Sequence, residues 1–522
     1  MHSYDRYFPA RSDKDQLDTV SVLALGLKGD PTRLLLKFED EPWTIGKMNA
    51  HVDNLRRWLL VIGLKRGDRV AVMLLNSPHH VALIYSLILS GLVWVPVNPR
   101  FKSASIAYLL DHSRPQVVIC EVEFEQMVVQ AFTETEYRCN VKQLPSESDS
   151  EQLNISTAVV ASETSDPLSI IYTSGTTGAP KGVILTHRMM RIACEAALIA
   201  ADVHDGDRLL LWEPLCHIGG AQMLLTPFVA RAQLHLVSGF SASKFWSQVQ
   251  QSGATQLHYL GGILDILMSL PERQQPTKHS LRVAWGAGVS LQAWQPIKER
   301  MGFVIRECYG MTEGSSFSTV NVTGRPGSIG KPLPWINLQL LGEDGLEVNL
   351  GETGQIVLSS DVDGVFLPAY LNNPQATSQT LQNGKLHTGD MARRDADGYL
   401  YFVGRATDSM RVRGENVSAW EIERVFALHP SIVAVAAVGV RGEVGEQEIL
   451  LYLQFQPGVK ENFSNLSAWA CNLLAVFQQP RYYLEVDRFE LTPSERIRKH
   501  FLSRDITLAW DRFGDHKSDQ VA

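Results

Sequence analysis

The apolar residues Met48, Val52, Leu55, Leu59 and Ile62 recur at intervals of four and three, which lays one apolar stripe along a helix over residues 44–62 and leaves Arg56 and Arg57 on its wet side. Thr44, whose hydroxyl can accept from the first turn, is the expected N-cap. A continuous apolar run follows at 70–75, then a helical pattern at 81–89, a second run at 92–97, a polar-faced helix at 103–111 and a third run at 116–120. Apolar strands alternating with helices imply a parallel sheet covered on both faces, so the first third reads as α/β. Residues 134–167 are rich in Ser, Thr and Glu, lack periodicity and read as a surface connection. From 338 to 358 the pattern alternates, with Gly342, Gly345, Gly351 and Gly354 at turns, and predicts an antiparallel, more β-rich portion. After Gly404 a basic stretch leads into a helix at 420–428 and a strand at 432–440, the start of a smaller domain of about 100 residues. From Asp511 on the chain is polar and is expected to fray.

Composition narrows the function classes. The 522 residues are 45% hydrophobic and 20% charged, the profile of a folded chain of more than one domain. The net charge of −8 supplies no overall positive field for nucleic acid or an anionic membrane. Six dispersed cysteines, with no CxxC pair and no nearby His of zinc-ligand spacing, point to a reducing compartment. Residues 1–16 alternate charged and polar types without an apolar core, so no secretory signal is expected. The apolar stretch 81–97 falls short of the roughly 20 residues that span a bilayer, and it is broken by Ser86, Ser90, Gly91 and Pro96. A cytoplasmic protein without membrane insertion is the expectation.

The chemistry concentrates in Tyr172-Thr173-Ser174-Gly175-Thr176-Thr177-Gly178-Ala179-Pro180-Lys181-Gly182. Glycines let the backbone turn sharply, hydroxyls and released N–H groups face anionic oxygens, and Lys181 adds a point charge. This is a phosphate-gripping loop, but not the Walker pattern, because Pro180 precedes the lysine and Gly182 follows it.

Together with further motifs in matching order, this loop resembles that of the acyl-adenylate-forming superfamily: acyl- and aryl-CoA ligases, peptide-synthetase adenylation domains and luciferases. The resemblance runs from about Glu39 to Leu502. It implies that Thr173, Ser174, Gly175, Thr176, Thr177, Gly178 and Lys181 hold ATP phosphates. In Tyr309-Gly310-Met311-Thr312-Glu313 it implies that Tyr309 stacks on adenine, Thr312 contacts the α-phosphate and Glu313 holds Mg²⁺. A lone carboxylate suits that ion, which takes its other ligands from phosphates and water. In His387-Thr388-Gly389-Asp390 the resemblance makes Asp390 the acceptor for both ribose hydroxyls. By the same resemblance Arg405 would support this nucleotide, and Asp408 would be the pivot of a hinge over 405–410. The resemblance further implies that the Trp285-Gly286-Ala287-Gly288 loop and Gly261-Gly262 line the acid and adenine sites, and that His217 of Pro214-Leu215-Cys216-His217-Ile218-Gly219-Gly220 gates the acyl pocket. By the same resemblance Arg413 and Gly414, before Glu415-Asn416-Val417, would belong to the CoA side. The expected fold is a large N-terminal AMP-binding domain of α/β subdomains plus a β-rich portion (1–404), a small mobile α+β C-terminal domain (411–505) and a polar tail (506–522).

One signature departs. The superfamily's C-terminal Pro-x-Thr/Ser-x-Gly-Lys reads here Thr492-Pro493-Ser494-Glu495-Arg496, so Arg496 stands where the catalytic lysine is expected and Glu495 where the glycine is. A planar guanidinium replaces a compact ammonium, and a carboxylate replaces backbone freedom beside a site that must attract anions. Because attack at phosphorus depends on positioning and charge stabilisation, the change bears on adenylation. The resemblance therefore implies an acyl-CoA ligase using a small carboxylic acid, ATP, Mg²⁺ and coenzyme A. The alternative is a variant that only transfers a preformed acyl-AMP to CoA, fed by a partner adenylating enzyme. An acyl-AMP ligase loading a carrier protein, and a catalytically silent nucleotide binder, are the rivals from other classes.

Overall fold

The computed structural model describes residues 18–145, 158–173, 179–260, 263–276, 278–289, 291–342, 344–405, 409–442, 446–490, 497, 499 and 502–514. The chain divides into two compact units. One comprises residues 1–99, 106–172 and 182–404, and the other 100–105, 173–181 and 405–522.

In the first unit the helix Ile45–Val61 begins where the pattern placed it, with the Thr44 hydroxyl accepting from Lys47 N–H at 3.2 Å. Met48, Val52, Leu55 and Leu59 are buried along one stripe. Arg56 is not wet: it is 4% exposed and donates to Ala158 O at 2.5 Å, because the connection that follows residue 157 passes over it. The apolar runs become the parallel strands Arg69–Met73, Val93–Pro96 and Val117–Cys120. They lie in a six-stranded sheet whose edges are Asn140–Lys142 and Lys181–Thr186. The Asn140–Lys142 strand falls inside the stretch read as irregular, since three half-exposed residues carry no period.

A nine-stranded sheet forms the second layer. Its parallel centre runs Val304–Met311, Val283–Ala287, Gln256–Leu260, Arg208–Leu211, Gln233–Leu236 and Leu34–Phe38. The helix His187–Ala201, capped by Thr186 and buried along almost its whole length, packs against this sheet. The alternating stretch after 336 forms the antiparallel strands Asn337–Leu341, Thr353–Ser359 and Lys385–Arg394.

The second unit has its own core, with Ile422, Phe426, Leu451, Leu453 and Tyr483 buried between the helices Ala419–Phe426 and Phe463–Cys471 and a four-stranded sheet. The fourth strand is Trp510–Asp511, antiparallel to Tyr482–Glu485. The chain is thus ordered past the point where polarity suggested fraying: Trp510 meets Tyr483 edge-on with centroids 5.3 Å apart, and Arg481 pairs with Asp511 at 3.2 Å. None of the six cysteines, all of them described, forms a disulfide, and no described helix is long and apolar enough to cross a membrane.

Candidate functional site

The strands Val283–Ala287 and Val304–Met311 lie side by side and parallel, with Gly286 opposite Glu307. Their carboxyl ends present Gly286 and Ala287 on one strand and Tyr309 and Gly310 on the next, the place where open α/β sheets receive ligands. Two glycines allow this approach. A Cβ on Gly286 would stand 1.8 Å from Tyr259 O, and one on Gly310 would stand 1.8 Å from Ser316 O, so neither position accepts a side chain. Beneath the turn after Ala287, the Glu307 carboxylate accepts from Gly288 N–H at 2.6 Å and from the Tyr259 hydroxyl at 2.5 Å. Burial pushes the Glu307 carboxyl up to about 7, against the opposing pull of these hydrogen bonds.

Glu313 follows on a short 3₁₀ turn, Thr312–Gly314, and both Thr312 and Glu313 are buried. The segment 365–370 clamps this turn from three sides. Leu367 N–H donates to Glu313 O at 2.9 Å, the Ser315 hydroxyl donates to Val365 O at 2.5 Å, and the Tyr370 hydroxyl donates to Glu313 Oε1 at 2.8 Å. The described residues hold no group of three or more His, Cys, Asp or Glu able to bind a metal ion. A divalent ion at Glu313 would therefore complete its shell from phosphate oxygens and water, a donor set that fits Mg²⁺.

Asp390, 3% exposed, accepts from the Tyr309 hydroxyl through Oδ2 at 2.7 Å. Its backbone N–H is held by the Thr388 hydroxyl at 3.1 Å, and Thr388 itself donates to Ile356 O at 2.8 Å. Tyr309, Thr312, Glu313, Asp390, Gly286 and Ala287, widely spaced in sequence, are thereby gathered by two adjacent strands and a carboxylate–phenol contact. The site offers two fixed carboxylates and an aromatic face beside backbone that comes close to a ligand.

The sequence profile of AMP-binding enzymes matches residues 26–367. The chain belongs to the AMP-binding enzyme family. It is similar to the crotonobetaine/carnitine–CoA ligase of Citrobacter koseri, 28% identical over 480 residues that cover 87% of this chain and 92% of the relative. The enzyme of the same description from Escherichia fergusonii is 29% identical over 462 residues, 84% and 88% of the two chains. Among solved structures, a double mutant of o-succinylbenzoate CoA synthetase from Bacillus subtilis, bound to a product analogue, superposes with a TM-score of 0.82 at 23% identity. That match covers 92% of this chain and 97% of the other. An amide bond synthetase from Marinactinospora thermotolerans gives 0.81 at 22% identity, over 92% and 98%. These structures share the fold.

In this AMP-binding enzyme the remaining expected residues divide by position. Thr173 closes the strand Pro167–Thr173 and Lys181 opens Lys181–Thr186, so they flank the segment expected to grip phosphates; Ser174, Gly175, Thr176, Thr177 and Gly178 lie outside the described residues. His217 precedes the short helix Ile218–Ala221, with its Nε2 3.4 Å from Asn98 Nδ2. Arg405 ends the strand Leu400–Arg405, while Asp408, Glu495 and Arg496 lie outside the described residues. In the second unit Arg413 and Gly414, at φ 51° and 77°, make the two-residue turn of the hairpin Ser409–Val412/Glu415–Ser418. Gly414 N–H donates to the Glu446 carboxylate, 3.0 Å from each oxygen. Lys499 Nζ lies 2.6 Å from Glu423 Oε1.

Sequence reading passed over Asn76, Glu213, His258, Glu307 and Tyr370. Asn76 fixes the turn after Arg208–Leu211, donating to Glu213 O at 2.8 Å and accepting from Leu215 N–H at 3.0 Å. The available signal was a charged or amide residue set into an apolar strand run, as Glu307 is in Val304–Met311 and His258 in Gln256–Leu260.

Proposed function

We propose that the protein is an acyl-CoA ligase that makes an acyl-CoA thioester from a carboxylic acid by way of an acyl-AMP. The observation that carries this reading is the set of buried pairs Tyr309–Asp390 and Tyr370–Glu313 at the carboxyl end of the strand Val304–Met311, with Tyr309 and Glu313 inside the span that matches AMP-binding enzymes. Relatives matched over most of their length are described as CoA ligases, which supports CoA as the acceptor. In the first step an oxygen of the acid's carboxylate attacks the α-phosphorus of ATP, and pyrophosphate leaves. Asp390 accepts from the ribose hydroxyls and Tyr309 keeps that carboxylate in place. Glu313, steadied by Tyr370, would hold Mg²⁺, which when bound supplies positive charge to the phosphate oxygens. In the second step the CoA thiolate attacks the acyl carbonyl and AMP leaves with the bonding electrons. No enzyme nucleophile is needed, because the mixed anhydride is already activated. A cytoplasmic location, argued from the dispersed cysteines, belongs to the same proposal.

A second reading keeps only the transfer step, with a partner adenylating enzyme supplying acyl-AMP. It is favoured by Arg496 and Glu495 in the sequence and by Lys499, whose ammonium is engaged with Glu423 rather than standing spare. Incubation of the purified chain with ATP, CoA and a panel of small acids tests the first reading: equal amounts of acyl-CoA, AMP and pyrophosphate are expected for at least one acid. Thioester formed from acyl-AMP, with no acid-dependent ATP–pyrophosphate exchange for any acid, would establish the second. Recovery of exchange in Arg496→Lys combined with Glu495→Gly would then locate the cause.

A further inference from the structure

In an acyl-adenylate the acyl carbonyl is joined to the AMP phosphorus through one oxygen. On the acyl-CoA ligase reading the acyl group therefore starts at the carboxyl ends of the strands Val283–Ala287 and Val304–Met311. Just short of those ends, three strands contribute a row of rings. Trp285 stands opposite His258 of Gln256–Leu260, and Phe317, on the strand Ser316–Val320, stands opposite Gly310. The Trp285 ring centroid is 4.2 Å from that of His258 and 5.8 Å from that of Phe317, and the His258 and Phe317 centroids are 6.3 Å apart. All three side chains are buried.

The row is closely packed. The space bounded by Leu209, Leu211, Met223, His258 and Trp285 does not admit a water molecule, and the buried helix His187–Ala201 packs across Val283–Ala287 and Ser316–Val320. The His258 Nδ1–H donates to Glu213 Oε1, which fixes the imidazole against the indole. A Cβ on Gly219 would stand 3.6 Å from His258 Cε1, so the backbone of the segment 214–220 lies over the imidazole. An acyl chain entering between the sheet and this helix would have to displace the Trp285 indole, and a core filled to this density resists added volume. Trp285 and Ala287 share a sheet face two residues apart, about 7 Å along the strand, so the depth above the indole is about that of a five- or six-carbon chain.

We infer that Trp285 limits the length of the acid, and that the acid is a short one, of about six carbons or fewer. This rests on the acyl-CoA ligase reading and names the substrate class of that same site. The indole is the stop, and its neighbours keep it there: the imidazole packs against it at a tilt of 36° and Phe317 meets it edge-on at 79°. A smaller side chain at 285 leaves room in the direction the native indole blocks, so the limit moves with the size of that one residue.

The test uses the full chain and non-hydrolysable acyl-sulfamoyl adenosines with straight chains from acetyl to dodecanoyl, with binding measured by calorimetry. Affinity should peak at or below hexanoyl and fall by at least about tenfold at octanoyl and beyond, since one methylene too many in a fixed pocket already costs about tenfold or more. Trp285→Leu should improve the octanoyl compound by at least about tenfold while acetyl stays within about threefold. Trp285→Phe, a milder change that keeps an aromatic side chain in the core, should improve the heptanoyl compound several-fold. Native binding of octanoyl and dodecanoyl as tight as that of the shorter chains would overturn the inference, whether or not a variant folds. Folded Trp285→Leu and Trp285→Phe with the native length profile would overturn it too. Thioester formation from the matching acyl-adenylates and CoA is scored separately. A cut-off before octanoyl without thioester from any adenylate would sustain the inference and refute the ligase reading; thioester at every length without a cut-off would do the reverse.

Discussion

Glu307→Gln isolates the cost of keeping a carboxylate under the turn after Ala287. Glu307 is 7% exposed, accepts from Gly288 N–H and the Tyr259 hydroxyl, and has Val289 N–H at 3.4 Å. Burial raises its carboxyl from an ordinary 4.5 to about 7. The folded state therefore holds this proton more tightly than the unfolded chain. Its contribution to stability is whole below pH 4.5, is lost as pH rises to about 7, and changes no further above that. At 1.36 kcal/mol per pH step the loss amounts to about 3 kcal/mol. Glutamine has nearly the same shape, its oxygen can accept from Gly288 N–H, and Tyr259 can turn its hydroxyl to accept from the amide. The variant escapes the charge penalty but keeps a weaker acceptor, so a net gain of about 1 to 3 kcal/mol is expected above pH 7 and almost none near pH 5. Urea unfolding followed by tryptophan fluorescence from pH 5 to 8 reads this directly, as two curves that meet at the acid end and separate toward pH 8. Parallel pH profiles, or a variant less stable than the native protein at pH 8, would refute the reasoning.

Gly310→Ala places a methyl group 1.8 Å from Ser316 O, so the antiparallel pairing there must open; soluble yield and nucleotide binding should both collapse, and normal binding of ATP would contradict the geometry. Tyr370→Phe removes a hydrogen bond to the Glu313 carboxylate worth about 1.5 to 3 kcal/mol, so affinity for Mg²⁺-ATP should fall by about tenfold or more while binding of an acyl-adenylate stays within about threefold. An unchanged Mg²⁺-ATP affinity would count against Glu313 as the metal-side carboxylate. Lys499→Met breaks a half-buried pair with Glu423, leaving that carboxylate with Ala437 N–H at 2.6 Å. A loss of about 1 to 2 kcal/mol is expected, between the values for exposed and buried pairs. Thermal unfolding of the variant at neutral pH checks it.

What could be read in the sequence was whatever depends on neighbours along the chain. The stripe through Met48, Val52, Leu55 and Leu59 needs only its own period, and Thr44 needs only the next turn, so both were legible from the order of residues alone. Arg56 looked wet by the same rule and is buried, because its partner Ala158 O lies 102 residues away. The braces of the site share that property. Glu213 meets His258 across 45 residues, Tyr259 meets Glu307 across 48 and Tyr370 meets Glu313 across 57, so each pairing is made by the tertiary fold and leaves no local period. The motif residues Tyr309, Glu313 and Asp390 were recognisable by type and order, whereas the phenol and backbone groups that aim them were visible only once the strands were adjacent.

Transfer from a synthetic acyl-adenylate to CoA tests the central claim most directly, because it bypasses the step on which Arg496 bears. Across a panel of adenylates, the purified chain should convert at least one to acyl-CoA and AMP in equal amounts, at a rate far above the uncatalysed reaction and dependent on CoA. Hydrolysis to the free acid, or no turnover of any adenylate while AMP still binds, would contradict it.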